Sequence, residues 1–105
     1  MERNFIIEEN RMTYFMPTEI DHHSARIIAR QIDGMVEGKG IRSVTMDFGR
    51  TEFMDSSGVG VIIGRCRKLK FFEGQLLAQN MSERVEKLFR TAGLHKIVEV
   101  KTVNE

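Results

Sequence analysis

At 105 residues the chain has room for one domain, 1–105, and a chain of this length buries roughly two thirds of the surface its unfolded form exposes. Apolar residues at 41% and charged residues at 30% exclude intrinsic disorder, and sixteen basic against fifteen acidic residues, a net charge of +1, exclude a general attraction to nucleic acid or anionic membrane. The start Met1-Glu2-Arg3-Asn4-Phe5 lacks the basic, apolar and small-residue regions of a secretory signal, and no apolar run nears the ~20 residues that span a bilayer, so a cytoplasmic protein is expected.

The first two predicted strands are Asn4 to Glu9 and Met12 to Met16, a hairpin turning at Asn10-Arg11. Pro17 closes the second run because it has no amide hydrogen for a ladder. A helix follows, with Ala25, Ile28, Ala29, Ile32, Met35 and Val36 on one side and Arg26, Arg30, Gln31, Asp33 and Glu37 on the other. Asp21 is its N-cap, and Gly38 or Gly40 its stop. Ile41 to Phe48 reads as a strand, with Val44, Met46 and Phe48 facing one way and Ser43, Thr45 and Asp47 the other.

A second helix runs from about Ser57 to Phe71 on the stripe Val59, Ile62, Ile63, Cys66 and Leu69. The run Arg65-Cys66-Arg67-Lys68-Leu69-Lys70 supplies its solvated basic side, and Cys66, the single cysteine, is a small buried residue that cannot form an intramolecular disulfide. Gly74 breaks this helix, and Gln75 to Gln79 is a short strand. Ser82 opens a third helix with Val85, Leu88, Phe89 and Ala92 inward; Gly93 ends it, and Lys96 to Val100 is the last strand. Helices alternating with strands imply crossovers and an α/β fold: a mixed, mainly parallel sheet of four to five strands against about three helices, with an N-terminal hairpin.

Most short motifs have a structural explanation. Asp47-Phe48-Gly49 matches the magnesium tripeptide of protein kinases without the kinase context, so it reads as a strand end and turn glycine. Gly58-Val59-Gly60 lacks the spacing and lysine of a phosphate loop; its small residues permit close backbone approach. His22-His23 point about 100° apart on a helix and have no third ligand at suitable spacing, so no metal site is expected, and no cofactor. No hydrolytic triad can be drawn from sequence order, and an enzyme is not expected. Asp55-Ser56-Ser57-Gly58 is different. It places two hydroxyls at the start of a helix, where a phosphate would meet backbone amides and the positive end of the helix dipole while adding about −1.5 to −2 charge units to the surface.

The run Phe53-Met54-Asp55-Ser56-Ser57-Gly58-Val59-Gly60-Val61-Ile62-Ile63-Gly64-Arg65 resembles the phosphorylation segment of anti-sigma factor antagonists with the STAS fold, most closely the sporulation type. Ile20-Asp21-His22-His23-Ser24-Ala25 and Lys87 to Ile97 resemble two further segments of that family, in family order. Pro17-Thr18-Glu19-Ile20-Asp21 departs from the family's usual glycine before the first helix, and little chain follows Val100 where the family often has a final helix. The resemblance implies partner switching. The unmodified protein would bind an anti-sigma factor that is itself a serine kinase, releasing the sigma factor; phosphorylation on Ser56 would end the contact, and a serine phosphatase would restore it. Asp21, His22, His23, Asp55, Ser57, Gly58 and Gly60 would form the docking face. The alternative is a STAS accessory subunit of a lipid transporter or of a stress-signalling complex.

Overall fold

The computed structural model describes residues 4–101; Met1, Glu2 and Arg3, and the residues beyond Lys101 that bear on a final helix, lie outside it. In chain order the elements are β1 (Phe5–Glu8), β2 (Arg11–Phe15), β3 (Glu19–Ile20), α1 (His22–Gly38), β4 (Ser43–Asp47) and β5 (Phe53–Met54). There follow α2 (Ser56–Phe71), β6 (Gln75–Gln79), α3 (Glu83–Thr91), a 3-10 turn (Leu94–Lys96) and β7 (Glu99–Val100).

β1 and β2 form the expected antiparallel hairpin, but its turn is Glu9-Asn10, one residue earlier than predicted. Arg11 is claimed by the ladder on both sides, opposite Glu8 of β1 and Ser43 of β4, and Glu9 takes up the reversal at φ 57°. The main sheet has the order β1-β2-β4-β6-β7, with every pair after the first parallel. Each parallel connection passes through one helix and advances one strand in the same direction. Common handedness therefore lays the helices on one face. Met12, Tyr14, Val44, Met46, Leu76 and Ala78 are buried on that face.

Local chemistry explains the helix ends. Asp21 and Ser24 form a reciprocal capping box at α1, whose Ala25, Ile28, Ile32 and Val36 are buried. Ser82 accepts from the Val85 amide at the start of α3, and Gly93 supplies the left-handed residue, φ 78°, beyond its end. The last predicted strand is shorter than expected. Lys96 belongs to the 3-10 turn, whose amide bonds back to Gly93 and Leu94 carbonyls consume the backbone up to Val98, leaving two residues to pair with β6.

Helix α2 departs further from its predicted phase. Its buried positions are Gly58, Val61, Ile62 and Leu69, whereas Val59, Ile63 and Cys66 are half-buried. Gly58 lies so close to the strands beneath that a Cβ there would stand 2.2 Å from Met54 Cγ and 3.2 Å from Ile20 Cγ2. That contact turns the helix about its axis relative to a phase read from apolar residues alone. Arg65 is turned inward by the same rotation: its side chain keeps 13% of its exposure and pairs with Asp33 of α1 at 2.9 Å. Lys68 pairs with Glu37 of α1. Half of the predicted solvated basic side is therefore a clamp between two helices.

Candidate functional site

The segment before α1 and the segment before α2 run side by side. Strands β3 and β5 pair in parallel, Glu19 opposite Phe53 and Ile20 opposite Met54, as a second sheet of two short strands. The pairing is prolonged at both ends. Thr51 Oγ1 donates to the Pro17 carbonyl at 2.8 Å, the Glu52 amide to Thr18 O at 2.8 Å, and the Asp55 amide to Ile20 O at 3.1 Å. Continued by one residue, this register sets Asp21 against Asp55, on strands spaced roughly 4.8 Å apart. Both aspartates are N-caps, so the seam brings two helix N-termini together. Strands of two residues are too short to show periodicity, and sequence reading missed them.

Asp47 anchors the other end of this loop. It is buried, with Oδ1 accepting from the Gly49 amide and Oδ2 from Gln79 Nε2 and Asn80 Nδ2, all at 2.8 Å. The Asp47-Phe48-Gly49 tripeptide is thus a strand end tied into its neighbour. Its carboxylate has three donors, and Gly49 leaves room for it, since a Cβ there would stand 2.9 Å from Oδ1.

The cap of α2 is Asp55, whose carboxylate accepts from the Ser57 amide at 2.7 Å; the Asp55 carbonyl accepts from the Gly58 amide at 2.9 Å. Ser56 is already the first helical residue and is exposed, while Ser57 behind it is half-buried. The helix starts one residue earlier than predicted because Asp55, as good a cap as the serines and one position ahead of them, takes the Ser57 amide first. A phosphate on Ser56 therefore meets a cap with two amides already occupied, beside the Asp55 carboxylate. Its charge is left on the surface.

The other predicted docking residues divide into two groups. Asp21 lies at the seam, half-buried, with its carboxyl held below the usual carboxylate range chiefly by the Ser24 amide. His22 and His23 follow in the first turn of α1, both exposed. Gly60 is exposed one turn beyond Ser56, with open space where a Cβ would go. Gly58 is buried against Met54 and Ile20, so it shapes the site from beneath and offers a partner no surface. Phe53 was not predicted as a site residue. It is 49% exposed two residues before the cap, turned outward as Met54 turns in. Among the described residues no group of three or more His, Cys, Asp and Glu is arranged to hold a metal ion, and no helix is long and apolar enough to cross a membrane.

The STAS domain profile matches residues 4–105. The chain is 32% identical over 98 residues to the anti-sigma-B factor antagonist of Bacillus subtilis, covering 92% of this chain and 87% of that protein. The solved structure of the anti-sigma factor antagonist SpoIIAA in its unphosphorylated form is similar with a TM-score of 0.78 at 25% identity, covering 95% of this chain and 89% of that one. The phosphorylated form of the Bacillus cell fate determinant SpoIIAA is similar with a TM-score of 0.75 at 29% identity, covering 93% and 91%.

Proposed function

Since the chain belongs to the STAS domain family, we propose that it is an anti-sigma factor antagonist that acts as a single domain in the cytoplasm and is switched by phosphorylation on Ser56. In its unmodified form it binds an anti-sigma factor and so frees a sigma factor. The anti-sigma factor is also the serine kinase that modifies Ser56, and a serine phosphatase reverses the step. The chain is the substrate of this chemistry and needs no cofactor of its own.

One observation carries the reading: Ser56 is exposed on the first turn of α2, at a cap that Asp55 has already filled and beside a second cap, Asp21. A kinase can reach this hydroxyl without displacing structure. The phosphate then adds about −1.5 to −2 charge units next to two carboxylates, where the first turn of neither helix carries a lysine or arginine. On a docked face the same group is strongly hydrated and unpaired, which costs several kcal/mol. Asp21, His22, His23, Asp55, Ser57 and Gly60 frame the docking face, with Gly58 holding its floor and Phe53 as an added apolar anchor. Known relatives solved in both unphosphorylated and phosphorylated forms support the switch.

The test is phosphorylation by the cognate anti-sigma factor with ATP, mapped by mass spectrometry. Ser57→Ala is expected to accept phosphate and Ser56→Ala to remain unmodified yet bind. Ser56→Asp is expected to unfold within about 0.5 kcal/mol of wild type in urea, as a surface substitution does. Its partner affinity should fall by roughly a hundredfold, about 3 kcal/mol. Phosphate incorporation into Ser56→Ala at the wild-type rate would overturn the assignment.

A further inference from the structure

The basic run of α2 does not act as one patch. Arg65 and Lys68 turn toward α1 and are taken by Asp33 and Glu37. Arg67 and Lys70 turn the other way and stay exposed, and Lys96 of the 3-10 turn joins them along one cavity. Among the described residues none of these three cations has an acidic side chain in an ion pair. Glu99 is the one carboxylate lining the same space.

Between these cations lies an apolar floor of Ile63 and Cys66 from α2, Leu76 from β6 and Ile97 just after the 3-10 turn. Ile97 is 50% exposed, an isoleucine left on the surface where the floor meets solvent, and Cys66 Sγ lies 3.3 Å from its carbonyl. Gly74 lines the head of the trench. A Cβ there would stand 2.3 Å from Arg42 O, so the chain can enter β6 beneath α2 only without a side chain. The cavity measures about 620 Å³, within the 300–1,000 Å³ common for small-molecule sites.

We propose that this trench binds a single-chain anionic amphiphile, a fatty carboxylate of medium length, with its tail on Ile63, Cys66, Leu76 and Ile97 and its headgroup among Arg67, Lys70 and Lys96. The charge pattern decides the class. Three unpaired cations around an apolar floor favour an anionic head, and the molecule's net charge of +1 provides no wider field that would draw anions elsewhere. The floor begins seven residues after Ser56, roughly 10 Å along the helix. This site is therefore separate from the serine loop and does not depend on the proposed switch.

The experiment is titration of the full chain with decanoate below its micellar concentration, followed by amide NMR. Expected are saturable shifts centred on Ile63, Cys66, Leu76 and Ile97, and a loss of affinity of tenfold or more in Arg67→Glu/Lys70→Glu. Decyltrimethylammonium, with the same tail and the opposite charge, should not saturate. Ile97→Glu, at a half-exposed position, should abolish binding by itself, which keeps the test decisive where the double reversal disturbs the fold, and undiminished binding in a folded Ile97→Glu overturns the proposal. The proposal fails if decanoate gives no saturable shift, if both amphiphiles bind alike, or if the shifts centre elsewhere. It also fails if the protein ignores free decanoate and sediments with phosphatidylglycerol vesicles, which would identify a lipid surface as the ligand.

Discussion

Gly58 and Gly60 are two positions apart on α2 and carry opposite demands. At Gly58 a methyl group would collide with the buried Met54 and Ile20, which cannot retreat without shifting both strands of the seam. Gly58→Ala is expected to cost about 1–3 kcal/mol in urea unfolding, as overpacking does. Gly60→Ala meets nothing and removes a helix-interior glycine, so it should stabilise by up to about 1 kcal/mol. The sequence marked both as small residues near a serine, with no means of separating them, because the floor beneath Gly58 exists only once Met54 is paired with the distant Ile20. Tyr14 makes a sharper residue-scale test. It is 2% exposed, donates its hydroxyl to Gln31 Oε1, and has its phenol pushed up to about 12 by burial, with Arg50 pulling the other way. The folded state holds that proton where the unfolded chain loses it near pH 10, so stability is full below pH 10 and declines as pH rises from about 10 toward 12. Tyr14 is the chain's only tyrosine and there is no tryptophan, so absorbance at 295 nm reads this group directly. A native phenol titrating near 10 would show that the hydroxyl is not enclosed.

At the scale of elements, α1 was the most legible part of the chain. Its stripe is regular, and its cap is written locally as Asp21 with Ser24 three residues on. The Asp21 carboxyl is held below the usual carboxylate range, so its contribution is present above the unfolded value of roughly 4 and disappears as pH falls through the lower folded value. Acidification should therefore fray the first turn of α1 before the sheet unfolds. Asp21→Asn should keep most of the capping and lose that pH dependence, which amide shifts of His22 to Ala25 would report. Helix α2 was legible in extent but not in phase. Periodicity counts apolar side chains, whereas here the closest approach is made by a glycine and the inward arginine is paired across to Asp33. Strands β3 and β5 were not legible at all, because two-residue strands carry no alternation and exist only once Thr18 and Ile20 receive amides from the distant segment.

For the molecule as a whole, the mainly parallel character of the sheet was legible in the alternation of helices and strands, since each crossover needs a parallel partner. The order β1-β2-β4-β6-β7 is visible only in the structure. The consequence is a graded sheet: β4 has full-length partners on both sides, whereas β7 pairs through two residues at the edge. Native-state hydrogen exchange should find the amides of Val44 to Met46 exchanging only through global opening, and those of Glu99 and Val100 orders of magnitude faster. Equal rates at the two sites would contradict this order. The seam between Pro17–Asp21 and Thr51–Asp55 imposes a different kind of rule. Its partners keep one constant offset, Pro17 with Thr51, Glu19 with Phe53 and Ile20 with Met54, so both stretches are the same length from their first tie to their cap. Inserting or deleting one residue in either stretch would slide one cap about 3.3 Å past the other and turn the inward Ile20 or Met54 outward. Over evolutionary time these two loops can exchange residue types freely at exposed positions such as Glu19 and Glu52, but they can change length only together.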